Sequence, residues 1–294
     1  MARKTLRRRL ATGRVLLCDG AMGTMLQASG LVIGEVPELL NLERPERVMA
    51  VHLGYIAAGA DIITTNTFGG TRVKMGRGGA ADLVAEANRA GARVAREAAA
   101  GNVFVAGSMG PTGELLAPFG DLSVENATAA FAEQAKALAE GGVDVFLVET
   151  MSDLTEAKAA IAGIRKVSKL PIFCTMTFDA GGRTMMGVSP QQAVVALSEL
   201  GVDAFGANCG QGPEDMEGVA RQMLAARPDA VIICQPNAGV PTLEGGRAVY
   251  SAGPETMGEF ARRYAAMGVR IIGSCCGSTP AHTEMIGRAL EGYR

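Results

Sequence analysis

The 294-residue chain has no tryptophan, only two histidines and an aromatic content of 4%. A cage of aromatic rings around a quaternary ammonium is therefore poorly supplied. A metal site or general base built on imidazole is equally short of material, since His52 and His282 both fall inside predicted helices. Neither sign of charge is in excess: 28 basic and 30 acidic residues leave a net charge of −2. That balance argues against a binder of nucleic acid or of an anionic membrane surface. The local exception is Arg3, Lys4, Arg7, Arg8 and Arg9, which read as a solvated basic extension over residues 1–14. No apolar run reaches the roughly 18 residues of a membrane span. Asp19 interrupts the stretch after the basic start, so the pattern is not that of a secretory signal. The expected compartment is the cytoplasm. With 48% hydrophobic residues the core is large enough to do without disulfides. The six cysteines are then core residues, metal ligands or catalysts.

What the chain does have is alternation. Eight β-rich runs lie at residues 15–19, 61–66, 103–109, 143–150, 172–178, 202–209, 230–237 and 269–276. Most are continuous Val, Ile, Phe or Ala, the pattern of strands buried on both faces of a parallel sheet. Helical patterns follow at 45–59, 80–100, 126–141, 153–169, 190–200, 214–227, 254–267 and 280–290. Several end in glycine and then Val-Asp or Val-Arg, a helix stop feeding a new strand. Residues 69–79, rich in glycine, read as a long loop after the second run. Eight such units predict a single (β/α)8 barrel over residues 1–294, with a doubly wound open sheet as the alternative.

In a barrel of this kind the site lies at the C-terminal ends of the strands. The runs end in Asp19, Asn66, Met109, Glu149, Thr177, Cys209, Asn237 and the pair Cys275–Cys276. Cys209, in GANCGQGPE, ends the sixth run, and Cys275 and Cys276, in GSCCGSTPAH, end the eighth. Three thiolates there supply three corners of a tetrahedral zinc ion and leave the fourth open, the catalytic arrangement. A vicinal Cys275–Cys276 disulfide and three inert core thiols are the competing readings. Cys174 and Cys234 sit mid-run as core residues, and Cys18 precedes Asp19 on the other face of its strand. Zinc held by three thiolates carries a formal charge of −1, which makes it a poor activator of water and argues against a hydrolase. It suits a different task, keeping a fourth thiol ionised for alkyl transfer. Asp19 and Glu149 can hold an ammonium group, and the amides of residues 20–24, at a helix start, can hold a carboxylate. The competing reading makes Asp19 a helix cap and Glu149 an exposed strand end.

The stretches LLCDGAMGT, GADIITTNTFGGTRVKM, GSMGPTGELL, VFLVETMSDLTEAKAA, MTFDAGGRTMMG, GANCGQGPE, QPNAGVP and GSCCGSTPAH resemble the homocysteine S-methyltransferase family. Within it they look most like the homocysteine-binding domain of cobalamin-dependent methionine synthases. The resemblance runs from about residue 15 to about residue 290 and implies a (β/α)8 barrel. It implies that Cys209, Cys275 and Cys276 bind one zinc ion per chain, with the homocysteine sulfur as fourth ligand. Asp19 and Glu149 align with residues for the amino group, Gly20 and Ala21 with backbone facing the carboxylate. Asn66 and Asn237 align as rim positions. The chain carries no second barrel and no Asp-x-His-x-x-Gly cobalamin motif. The expected donor is accordingly methylcobalamin on a separate corrinoid protein, with residues 69–79 and 115–121 as docking elements. The alternatives are S-methylmethionine or another small sulfonium or ammonium donor, and an inactive zinc-binding scaffold.

Overall fold

The fold is taken from a computed structural model, which describes residues 5–32, 34–179, 181–244 and 247–294. Each of the eight runs contains a strand: β1 (Leu16–Leu17), β2 (Ile62–Thr64), β3 (Phe104–Met109), β4 (Val145–Met151), β5 (Ile172–Met176), β6 (Ala204–Cys209), β7 (Ile232–Pro236) and, eighth, β10 (Ile271–Ile272). They form one sheet in the order β1-β10-β7-β6-β5-β4-β3-β2. Every neighbouring pair is parallel. The two ends meet: Cys18 bridges Ile62, and the Asp61 amide donates to the Leu17 carbonyl at 2.7 Å. That contact closes the sheet and decides for the (β/α)8 barrel over an open sheet.

The outer ring comprises α4 (Pro45–Ala57), α6 (Val84–Ala99), α7 (Val124–Gly141), α8 (Leu154–Val167), α9 (Pro190–Glu199), α10 (Pro213–Ala226), α11 (Pro254–Met267) and α12 (Pro280–Ala289). Five of these open on proline, whose missing N–H is one of the donors a first turn leaves unpaired in any case. Side chains alternate across each strand. Leu17, Ile63, Val105 and Cys174 pack outward against the helices. Leu16, Cys18, Ile62, Leu147, Phe173 and Ile271 fill the barrel interior.

The structure adds to the sequence reading at three places. Residues 1–4 of the expected basic extension lie outside the described residues, but α1 (Leu6–Leu10) folds back onto the barrel. Its Leu6 and Leu10 join the interior cluster and stop the N-terminal end, while Arg7 pairs with Asp203 at 2.6 Å. The segment is thus a plug with a charged outer face. The expected loop 69–79 contains α5 (Arg72–Arg77), started by a Thr71 side-chain cap. The connection after β7 carries an antiparallel hairpin of β8 (Pro241–Glu244) and β9 (Arg247–Tyr250) that was not foreseen.

Candidate metal centre and substrate cavity

A cavity of about 570 Å³ opens at the C-terminal end of the barrel. Cys209, Cys275 and Cys276 line it together with Asp19, Gly20, Ala21, Asn66 and Glu149. The predicted site residues therefore converge, with Asn237 the exception.

The three sulfurs form a triangle with sides of 3.0, 3.9 and 4.0 Å. Sulfurs bound to one tetrahedral zinc lie about 3.8 Å apart, given Zn–S bonds of about 2.3 Å. Two sides match that spacing and the third is short, so the donor set and its shape fit the ion. Among the described residues this is the one group of metal-ligating side chains so arranged. All six cysteines are free, so the vicinal disulfide is not formed. Without a metal the cluster shares its protons unequally. Hydrogen bonds from Cys209 and then Cys275 hold Cys276 as the thiolate, far below an ordinary thiol pKa.

The backbone at these tips is strained. Cys209 has φ 58° and Thr150, a β-branched residue, φ 62°, both in the sparsely used left-handed region. Asn208 fixes them. Its Oδ1 accepts from the Thr150 amide at 2.8 Å, and its Nδ2 donates to Thr150 Oγ1 at 2.7 Å. The same Nδ2 lies 3.8 Å from the Cys275 sulfur. Asn208 thus ties the tips of β4 and β6 to the thiol cluster. A polar residue one position before a candidate ligand, in a run otherwise small and apolar, was the available signal for it.

Opposite the thiols stand the carboxyls. Asp19 is buried, and both its oxygens are engaged by Thr64, through the amide at 2.6 Å and Oγ1 at 2.8 Å. Glu149 faces the cavity and accepts from Ser108 Oγ at 2.5 Å. Withdrawal from bulk water pushes each carboxyl up to about 7. The Asp19 charge adds to the shift at Glu149. A cation placed against both would return them to full ionisation. Asp19 is therefore oriented by Thr64 and is not a helix cap, because α2 (Met22–Ala28) is entered through Ala21, with no side-chain cap. A side chain at Gly20 would displace the hydroxyls around it, since a Cβ would lie 2.5 Å from Ser278 Oγ and 2.9 Å from the Tyr55 hydroxyl. The Ala21 amide already donates to Ser278 Oγ. The donors left for a carboxylate are then in the first turn of α2, whose amides have no intrahelical partner.

Asn66 lines the cavity but works as a strut: its Nδ2 donates to the Pro37 carbonyl at 2.8 Å, and its own carbonyl accepts from Asn41. Asn237 does not line the cavity; its Nδ2 donates to the Gly210 carbonyl and braces the turn after Cys209, while its buried Oδ1 has no partner. His282 belongs to the capping box of α12. His52 is fully buried among the helices, and burial lowers its pKa to about 4.

A sequence profile described as Homocysteine S-methyltransferase matches residues 16–290. Methionine synthase of Mycobacterium tuberculosis is 35% identical over 299 aligned positions, which take in 96% of this chain and 25% of that protein. Methionine synthase of Mycobacterium leprae is 34% identical, over 94% of this chain and 24% of its own. The chain thus spans about a quarter of the length of these curated relatives. Among solved structures, the metallated form of the homocysteine methyltransferase MmuM from Escherichia coli superposes with a TM-score of 0.81 at 24% identity, covering 98% of this chain and 99% of that one. Its oxidised form gives 0.79 at 24% identity, over 93% and 95%. At this level of identity the structures speak for the shared fold.

Proposed function

The chain belongs to the homocysteine S-methyltransferase family, and from that premise we propose that it methylates the sulfur of homocysteine, held on zinc by Cys209, Cys275 and Cys276, to give methionine. The observation that carries this reading is the placement of three convergent sulfurs and two elevated carboxyls around one cavity. That combination matches a thiol and an ammonium on one small molecule. When bound, the zinc keeps the fourth sulfur as a thiolate at neutral pH. Asp19 and Glu149 take the ammonium group, oriented by Thr64 and Ser108. The first turn of α2 receives the carboxylate beside Gly20. These three anchors fix the sulfur's direction of attack and supply the positioning part of catalysis. The S–CH₃ bond forms as the donor's bond to its methyl breaks, and the donor keeps the electron pair.

Methylcobalamin carried by a separate corrinoid protein is the donor we favour, on two observations. The Phe68 ring on the cavity wall is already covered by Lys74, whose Nζ lies 4.5 Å from the ring centroid. That face is thereby taken from a sulfonium or quaternary ammonium. Around the mouth, the connections after β1, β3, β5 and β7 expose Val32, Leu115, Phe119, Met185, Val240 and Val249, with Phe119 at 71% and Met185 at 69%. Apolar side chains so placed suit a protein surface better than a small donor.

The test is methionine formation by the zinc-loaded protein from homocysteine, with free methylcobalamin and S-methylmethionine in parallel. Methionine from methylcobalamin alone is the expected result. Methionine from S-methylmethionine alone overturns the donor assignment, and methionine from neither overturns the reaction.

A further inference from the structure

The ladder between β2 and β3 ends where Thr64 pairs with Ala106, and the Thr65 amide makes a last bond to the Ala106 carbonyl at 2.9 Å. Ser108 lies two residues further along β3, past that last pair. A buried amide or carbonyl left without a partner is costly, and here side chains take the place of the missing strand. The Ser108 amide donates to Thr65 Oγ1 at 3.0 Å, and the Ser108 carbonyl accepts from Thr67 Oγ1 at 2.8 Å. The two threonine oxygens lie 2.6 Å apart. A hydroxyl has one hydrogen to give. Thr67 spends its own on the carbonyl, so Thr65 is the donor between them. The bonds close a ring about the Ser108 backbone, and the Ser108 hydroxyl leaves that ring for Glu149.

The helices brace the ring from behind. Gln134 on α7 is fully buried, and its Nε2 donates to the Thr67 carbonyl at 2.7 Å and to the Ser108 carbonyl at 3.3 Å. The same nitrogen reaches Oδ1 of Asn88, on α6, at 3.2 Å. Asn88 in turn donates to the Gly70 carbonyl at 2.8 Å, and a Cβ at Gly70 would run into both amide groups. We propose that Gln134 is a positioning residue for substrate. Through the ring about Ser108 it keeps the Ser108 hydroxyl on Glu149, and so holds ready the carboxylate that takes the ammonium group. A group already held in its bound geometry loses little freedom when the ligand arrives. The inference rests on the proposed binding of the ammonium group at Glu149, and not on the methyl donor.

The experiment is a double-mutant cycle, read as the dissociation constant of homocysteine from the zinc-loaded protein in calorimetry. Gln134→Met keeps the length of the side chain and removes its donor. Ser108→Ala removes the hydroxyl through which Gln134 acts. The expected loss of affinity is about 10- to 100-fold for S108A, which breaks a bond to a charged group, and about fivefold for Q134M. The double variant should bind as S108A does, because the route from Gln134 to Glu149 is already cut. Wild-type affinity in S108A or Q134M overturns the proposal, and so does a double variant in which the two losses add. Thr67→Val opens the ring without touching Gln134 and serves if Q134M does not fold. It should weaken binding as Q134M does, while T67S, which keeps the hydroxyl, should bind as wild type; T67V with wild-type affinity overturns the proposal. A wild type that binds no homocysteine overturns the substrate reading and the proposal together. A coupled loss of binding in a protein that forms no methionine upholds the proposal while the proposed reaction fails.

Discussion

At Asp19 and Glu149, stability and the proposed binding of an ammonium group pull against each other. Burial raises both carboxyls to about 7, so the folded chain holds protons there that the unfolded chain has released. Between about pH 4 and 7 the folded state binds more protons than the unfolded state. The contribution of these two groups to stability is accordingly fully present below that window and is lost as pH rises through about 7. Asp19→Asn and Glu149→Gln remove the penalty. At pH 8, thermal unfolding of each substrate-free variant should come a few degrees above wild type. The same variants should bind homocysteine about 10- to 100-fold more weakly in calorimetry, the scale of one lost charge-assisted contact. A variant that binds homocysteine as tightly as wild type would remove that carboxyl from the site. Homocysteine affinity of the wild type should rise with pH up to about 7, as the two carboxyls ionise.

At the scale of the element, two segments have separable tasks. The plug α1 buries Leu6 and Leu10 at the barrel end opposite the cavity. Truncating either to alanine should cost about 2–5 kcal/mol of stability in denaturant titrations, with the KM for homocysteine unchanged. A shifted KM would mean that the plug communicates with the mouth. The connection after β3 exposes Leu115 and Phe119. Replacing both with serine should leave turnover with free methylcobalamin intact and lower kcat/KM with a protein-borne corrinoid. Equal losses with both donors would assign the loop to the cavity and not to docking.

For the whole molecule, the sequence was most legible where one physical rule acted alone. Strands buried on both faces have to be continuously apolar, so β3 through β7 could be read directly from their Val, Ile, Phe and Ala runs. Strand tips have to carry the polar residues of a barrel, which is why Asp19, Glu149 and the three thiols stand out in the sequence and line one cavity in the fold. The less legible features depend on contacts between distant segments. Asn208 matters because it meets Thr150, 58 residues away in the chain. Asn237 matches a rim position but turns to brace Gly210. The basic charges of the N-terminal extension read as a solvated helix end, yet Leu6 and Leu10, at either end of α1, pull that helix onto the barrel. The hairpin of β8 and β9 is four residues per strand, too short to stand out from a glycine-containing loop. Closure of the barrel itself rests on the Cys18–Ile62 bridge and the backbone bonds beside it, which no local pattern encodes.

In the proposed site the three thiols hold a metal whose open position receives the substrate sulfur. X-ray absorption at the zinc edge of the loaded protein, before and after homocysteine, reads that position. Three sulfur neighbours and one lighter ligand are expected at first, and four sulfurs once homocysteine is bound. Four sulfurs at the start, or three that never become four, would rule this site out.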